Sequence, residues 1–370
     1  MRMKPMPTDS NHLKHIAPFA GYDGETRSSG RVLFYCHSNQ HALTIMKPIA
    51  LLLLLASGTA FAASEENINK TFPVASGGSL VVDVDFGSID VSTNAAPDEI
   101  TVAVWRKVTR KNEAGEERFL AENPVAIVQE GNTVTVRSEH REERLGWFGG
   151  WRNRNEAKYT IHVPAQFSAK LHTSGGGIAV SDLTGEVKAH TSGGGLHFTR
   201  VHGPLNGDTS GGGVSVADCE GTIKIHTSGG GIDVTGGNGS LNGDTSGGGV
   251  KVRNFAGPAS VETSGGGITI ENVQGAVEGS TSGGSINAVL LSPVPGEVTL
   301  STSGGGVTVK VPDNAAFNID ARTSGGGVTC DLPVTVQGKI EHGHLKGVVN
   351  GGGPAVVLRS SGGGIHIKKP

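Results

Sequence analysis

Six side chains with ligand chemistry recur at intervals of 18 residues: His172, His190, Asp208, His226, Asp244 and Glu262. Imidazole and carboxylate are the donor types that hold Zn²⁺ and similar ions. If these intervals place the residues on adjacent strands, neighbours stand about 4.8 Å apart. His172, His190, Asp208 and His226 are then the candidate metal ligands. The competing reading is an exposed row of mixed charge that avoids like-charge repulsion between strands. It requires no metal and no other cofactor, and it is the reading adopted.

A second concentration of chemistry lies between His140 and Glu156. Two of the three Trp of the chain fall there, interleaved with Arg. Trp and Arg are enriched where partners bind. Arg144, Trp147, Phe148, Trp151 and Arg152 are therefore the candidate partner-binding residues, for a protein, a glycan or an anionic surface. The alternative is a loop folded back as a cap. Catalytic groups are another matter. No Ser/His/Asp set, paired-carboxylate cleft or nucleophile motif can be located, and the chain is read as a non-enzyme. The Gly-Gly-Gly runs lack the Asp of a calcium-binding nonapeptide. They also lack the Gly-Lys-Ser/Thr of a phosphate loop.

The elements that position these residues are set by a repeat. Thr-Ser-Gly-Gly begins at Thr173, Thr191, Thr209, Thr227, Thr245, Thr263 and Thr281, each 18 residues after the last. It returns at Thr302 and Thr323, 21 apart, and a variant begins at Ser360. With Thr as position 1, positions 6, 8 and 15 are apolar in every 18-residue unit and position 13 is Gly. Apolar residues two apart follow the strand period. Each unit is thus two short strands joined by glycine corners, and identical units stack in register as a solenoid. The fold class is all-β: a right-handed parallel β-helix, or β-solenoid, with about 18 residues per coil and an irregular β N-terminal part. Position 17 alternates large and small (Ala189, Gly207, Ile225, Gly243, Val261, Gly279). That pattern leaves a 36-residue coil as the rival. Parity turns the Thr column inward, as a hydroxyl ladder at the turn rather than a flat ice-binding array. Position 18 faces out.

Residues 63–165 read as an irregular β region that caps the solenoid, and residues 166–370 as the repeats. Asn112–Glu122 is either a short helix or a charged loop. Ile365-His366-Ile367, followed by Lys368-Lys369-Pro370, has the charge and Pro of an edge strand that must not pair further. Before the β regions, Met46-Lys47 opens a short basic stretch, an apolar run from Ile49 to Ala56 and an Ala60-Phe61-Ala62 cleavage pattern. This is a signal peptide, residues 46–62. Its apolar run is far shorter than the roughly 20 residues that span a bilayer, so the mature chain, beginning at Ala63, has no transmembrane segment. Residues 1–45 are read as a non-native upstream extension. The expected location is the periplasm, the cell surface or outside the cell. In that oxidising setting Cys219 and Cys330 lie too far apart to pair, and both are read as small buried residues.

Composition agrees. The 370 residues include 59 Gly and only 5% aromatics, which suits thin coils with glycine corners. A net charge of -3 gives no electrostatic footprint for nucleic acid. The chain also resembles the bacterial "putative adhesin" family of envelope proteins, a group of unknown function. The resemblance rests on Gly87-Ser88-Ile89-Asp90-Val91, Ile161-His162-Val163-Pro164, the repeated Thr-Ser-Gly-Gly-Gly, and Leu345-Lys346-Gly347-Val348-Val349-Asn350-Gly351-Gly352 leading into Ser360–Ile365. It covers about residues 75–368, implies a right-handed β-solenoid, and carries no site residues over. The functional expectation is a noncatalytic, exported, adhesin-like or interaction scaffold. The alternatives are a metal- or glycan-binding module using the His/Asp column or the Trp/Arg loop, and, more remotely, an ice-binding or polysaccharide-active solenoid.

Overall fold

The chain divides into units of residues Met1–Gly58 and Thr59–Pro370. The computed structural model describes residues 65–94, 96, 98–110, 112–138, 154–336, 338 and 341–370, all in the second unit. The upstream extension, the signal peptide and the Arg/Trp loop therefore lie outside the described residues.

The described residues form 29 strands and one α-helix. The strands make two long sheets of 14 and 15 members, in which the repeats stack in parallel. Every regular unit pairs with the very next unit in the sequence. Val187 lies between Ala169 and Leu205, and Leu196 between Ile178 and Val214. One coil is therefore one Thr-Ser-Gly-Gly unit, not two, and it gives one strand to each sheet. Positions 6 and 8 point inward from the first sheet, and positions 15, 17 and 1 from the second. Ile178, Leu196, Phe198, Val234 and Ile268 are fully buried in the resulting single core.

The alternation at position 17 is a packing pattern laid over this shorter coil. A Cβ on Gly207 would lie 2.9 Å from the Phe198 ring and 3.1 Å from Ile225 Cδ1. A large side chain in one coil thus fills the space above the glycine of the next. The rhythm of two units reports how the interior is filled, while backbone pairing sets the coil.

Threonine at position 1 holds the corner. Thr191, Thr209 and Thr227 are wholly buried. Each hydroxyl donates to a glycine carbonyl of the preceding coil, Gly176, Gly194 and Gly212 in turn, at 2.7 Å. The same oxygen accepts from the amide three residues ahead, at 3.3 Å for Thr191 and Thr227. This burial removes the flat Thr surface on which the ice-binding alternative depends. The middle glycine allows the close approach: a Cβ on Gly212 would sit 2.1 Å from the carbonyl oxygen of Gly194. A second corner, at position 10, turns through the left-handed region. Asp182, Arg200, Asp218, Asn254 and Asn272 have φ between 51° and 61°, a conformation that Asn and Asp tolerate best among side-chain-bearing residues.

At the N-terminal end the chain leaves the regular stack. Ser88–Thr93 pairs in parallel with Ile178–Ser181 and with Arg154–Val163, which pairs antiparallel with Glu99–Thr109. In the other sheet Gly78–Val84 pairs in parallel with Phe167–Thr173. Residues 113–122 are helical rather than a loop. The Asn112 side chain caps the first turn by accepting from the Gly115 amide, and Phe119 is buried. Buried Arg106 fastens the outermost strands. Its Nε donates to Glu66 Oε2 at 2.7 Å and its Nη1 to the Asn123 carbonyl at 2.6 Å.

The C-terminal end corrects the edge-strand reading. Ile365–Lys368 pairs with Val307–Lys310 on one side and Val328–Cys330 on the other. Ala355–Ser360 likewise lies between Val298–Thr302 and Phe317–Thr323. The last arch of the chain is thus an interior coil, inserted ahead of the coil that precedes it in sequence. The hydroxyl ladder runs through the insertion: Ser360 donates to the Gly305 carbonyl at 2.8 Å, and Thr323 to that of Gly363 at 2.6 Å. The long interval from Thr323 to Ser360 is the detour through the antiparallel hairpin strands Val334–Val336 and His344–Val349.

The ladder makes a testable statement. Thr227→Val keeps the shape but removes the hydroxyl that donates to the Gly212 carbonyl and accepts from the Gly230 amide at this part-buried corner, and should destabilise the fold by about 1–3 kcal/mol. Thr227→Ser should keep most of that stability, and Gly230→Ala should cost more than Thr227→Val because its Cβ would meet backbone. Urea unfolding, with amide exchange at the neighbouring coils, checks the order.

Candidate functional site

The outward face of the sheet that carries the Thr strands holds the predicted His/Asp column. In-register pairing places Asp83, His172, His190, Asp208, His226, Asp244 and Glu262 on seven successive strands. All four candidate ligands, His172, His190, Asp208 and His226, therefore stand in one row. Within the row they associate in pairs. The rings of His172 and His190 stack at 5.1 Å between centroids and 6° between planes. His190 Nδ1 lies 2.7 Å from Asp208 Oδ1, and His226 Nδ1 lies 2.5 Å from Asp244 Oδ1. A neighbouring column repeats the device with His202 Nδ1 3.0 Å from Glu220 Oε2. Among the described residues, no group of three or more His, Cys, Asp or Glu is placed to hold a metal ion. Each pair instead links one coil to the next, and each of these side chains is more than two-fifths exposed.

Shallow grooves follow the columns. One, of about 410 Å³, is lined by Asp83, Arg137, Lys170, His172, Lys188 and His190. On the opposite sheet a trough of about 520 Å³ runs along Gly231, Gly249 and Gly267 beside Asp233, Lys251 and Asn287. There Arg253 Nη2 meets Asp233 Oδ1 at 2.8 Å. The candidate partner residues Arg144, Trp147, Phe148, Trp151 and Arg152 lie outside the described residues. The strand on which Arg137 stands, Thr133–Ser138, ends just before their segment.

The sequence reading followed position 18 only through the regular units and so missed its continuation. Arg322 precedes Thr323 and Arg359 precedes Ser360, which makes both of them position-18 residues. Their shared slot was the available signal.

Both thiols are free. Cys219 is buried as expected, but Cys330 is only half-buried. It stands on the last strand of its sheet, where there is no further neighbour to cover it among the described residues. Burial raises the pKa of both thiols above the ordinary cysteine value. In a chain carrying Cys36→Ser, a thiol reagent at mildly alkaline pH should therefore label Cys330 slowly and Cys219 only on unfolding. A double-mutant cycle on His226 and Asp244 should return a coupling of less than about 1 kcal/mol, as for exposed pairs.

The family pattern described as Toastrack DUF4097 matches residues 80–368. No curated protein matches the chain. Among solved structures, a "putative adhesin" from Parabacteroides merdae is 11% identical, with 82% of this chain and 96% of that one covered and a TM-score of 0.28. A "putative adhesin" from Bacteroides fragilis is 14% identical, with 82% and 97% covered and a TM-score of 0.25. A "putative lipid binding protein" from Parabacteroides distasonis is 8% identical, with 82% and 96% covered and a TM-score of 0.19. Superpositions at these scores carry no argument of their own, and the fold stands on the strand pairing. The family match spans most of the sequence, from within the strand Gly78–Val84 to the inserted C-terminal arch, and on that ground the chain belongs to the Toastrack DUF4097 family.

Proposed function

We propose that the protein is an exported, noncatalytic scaffold of the cell envelope, adhesin-like in working through its surface. One observation carries this reading. The apolar columns all turn inward, and what faces out is a set of polar and charged rows repeated once per coil. Ten repeat strands of one sheet at about 4.8 Å give such rows a run of about 40 Å. A long face of evenly spaced groups suits attachment at many weak points, whereas catalysis requires convergent groups in a concave site. Among the described residues, no helix is long and apolar enough to cross a membrane.

The Arg/Trp segment is the proposed anchor for a partner, which would be an envelope protein or a glycan. The test uses the chain as secreted by its own cell. Its N-terminal residue should be Ala63, and it should fractionate with the periplasm or the envelope. Trp147→Ala with Trp151→Ala should weaken its retention on envelope material about tenfold or more, as loss of an aromatic hot spot does. Retention unchanged in that variant, or no retention of the native chain, overturns the proposal. The metal-binding alternative keeps a distinct signature: Zn²⁺ retained through dialysis and lost in His172→Ala with His190→Ala.

A further inference from the structure

The inserted C-terminal arch brings together three side chains that are distant in sequence. Arg359 on Ala355–Ser360, Arg322 on Phe317–Thr323 and His344 on His344–Val349 fall in one outward row of three adjacent strands. Arg322 and Arg359 are directly opposed, an arrangement of like charges that costs stability unless an anion offsets it. Asp320 is the only internal carboxylate within ion-pair reach of both among the described residues. Its Oδ1 lies 3.1 Å from Arg359 Nη1, 3.5 Å from Arg322 Nε and 3.5 Å from His344 Nε2.

That single carboxylate leaves donors unused. Arg359 Nη1 also donates to the Asp320 carbonyl at 2.7 Å, and Arg322 Nε to His344 Nε2 at 3.2 Å. Among the described residues, the two terminal nitrogens of Arg322 meet no acceptor, and Arg322 is 58% exposed. A groove of about 440 Å³ opens over the pair, lined by Arg322, Arg359, His344, Ser324, Ser361 and Glu341. Lys346 stands directly across from Asp320 on the neighbouring strand. The groove thus sets two guanidinium groups, Arg322 and Arg359, beside one lining carboxylate, Glu341, with Asp320 shared between the two arginines. The His172 groove differs. Its lining spreads Arg137, Lys170 and Lys188 beside Asp83 and Asp208, and Lys188 is engaged by Glu186 at 2.7 Å.

We propose that the Arg322–Arg359 groove binds a tetrahedral oxyanion, a phosphate or sulfate ester, with the hydroxyls of Ser324 and Ser361 as further donors. Guanidinium forks match such oxygens two at a time. Two forks one strand apart address two edges of a tetrahedron, whereas a planar carboxylate occupies only one. The site deepens the scaffold reading by naming a ligand chemistry for one end of the sheet. Phosphate binding by the chain alone would stand even if envelope retention failed.

Titration of the full chain with inorganic phosphate and sulfate, followed by calorimetry and amide shifts, tests it. Arg322→Gln, at an exposed position, should weaken binding about tenfold, the loss of one charge-assisted contact. Asp320→Asn should strengthen it, because the competing carboxylate is gone, and Lys188→Gln on the same face should leave it unchanged. A parallel arm uses vesicles of phosphatidylglycerol against phosphatidylcholine. Arg322-dependent capture on the anionic vesicles assigns the group to a lipid headgroup, and Arg322-dependent phosphate binding without capture assigns it to a soluble or glycan-borne ester. If neither phosphate, sulfate nor anionic vesicles bind in an Arg322-dependent way, the proposal is overturned.

Discussion

The structure depends on one hydrogen bond repeated at every coil, from the buried Thr hydroxyl to the glycine carbonyl of the coil before. At this part-buried corner the backbone turns between the two sheets, and its carbonyl accepts from the buried hydroxyl of the next coil. A buried acceptor without a partner costs about 1–3 kcal/mol. The middle glycines of successive coils stack close enough that a Cβ on any of them would meet the carbonyl of the coil before. The Thr-Ser-Gly-Gly motif is therefore a unit: the hydroxyl satisfies what the glycines expose, and the glycines admit the approach that the hydroxyl requires. Repeating that unit fixes the length of the coil and aligns every other column.

Thin coils follow from this constraint. Each coil encloses a few Val, Ile, Leu or Phe side chains between two sheets, and the solenoid gains its core by accumulation. The alternation of Gly207, Gly243 and Gly279 with Ala189, Ile225 and Val261 shows that two coils share one layer of filling. A period in the sequence can therefore belong to side-chain volume while the backbone keeps another. Here the corner Thr, present in both halves of the longer rhythm, distinguishes the two.

Much of this was legible because strand parity and corner residues are local. The inward Thr and the outward His172 and His226 follow from counting along one unit, whereas the choice of an 18-residue coil over its 36-residue rival rests on the strand pairing. What counting does not contain is spatial order. Lys368, Lys369 and Pro370 read as the guard of an edge because the chain ends there, yet the arch they follow has neighbours on both sides. Only the lengthened intervals between Thr281, Thr302, Thr323 and Ser360 mark the departure from simple stacking. The left-handed corner at position 10 was likewise hidden, since Asp182, Arg200 and Asn254 share a backbone angle but no side-chain chemistry. The Arg/Trp segment is the converse case, with strong chemistry and no repeat to place it.

The inserted arch also changes how the outward columns acquire meaning. Within the regular coils each outward residue meets its counterpart from the adjacent unit of the sequence. Charges can then be matched by local variation, as His190 is with Asp208 and His226 with Asp244. At the insertion, neighbours come from three separate stretches, and the chain sets Arg359 against Arg322. The rest of the coil obeys the rules elsewhere, with the same hydroxyl ladder, the same glycine contacts and the same buried Val and Leu. The two arginines tie their strands together through Asp320 and His344, and the guanidinium nitrogens of Arg322 left over from those bonds are what the groove offers to the outside.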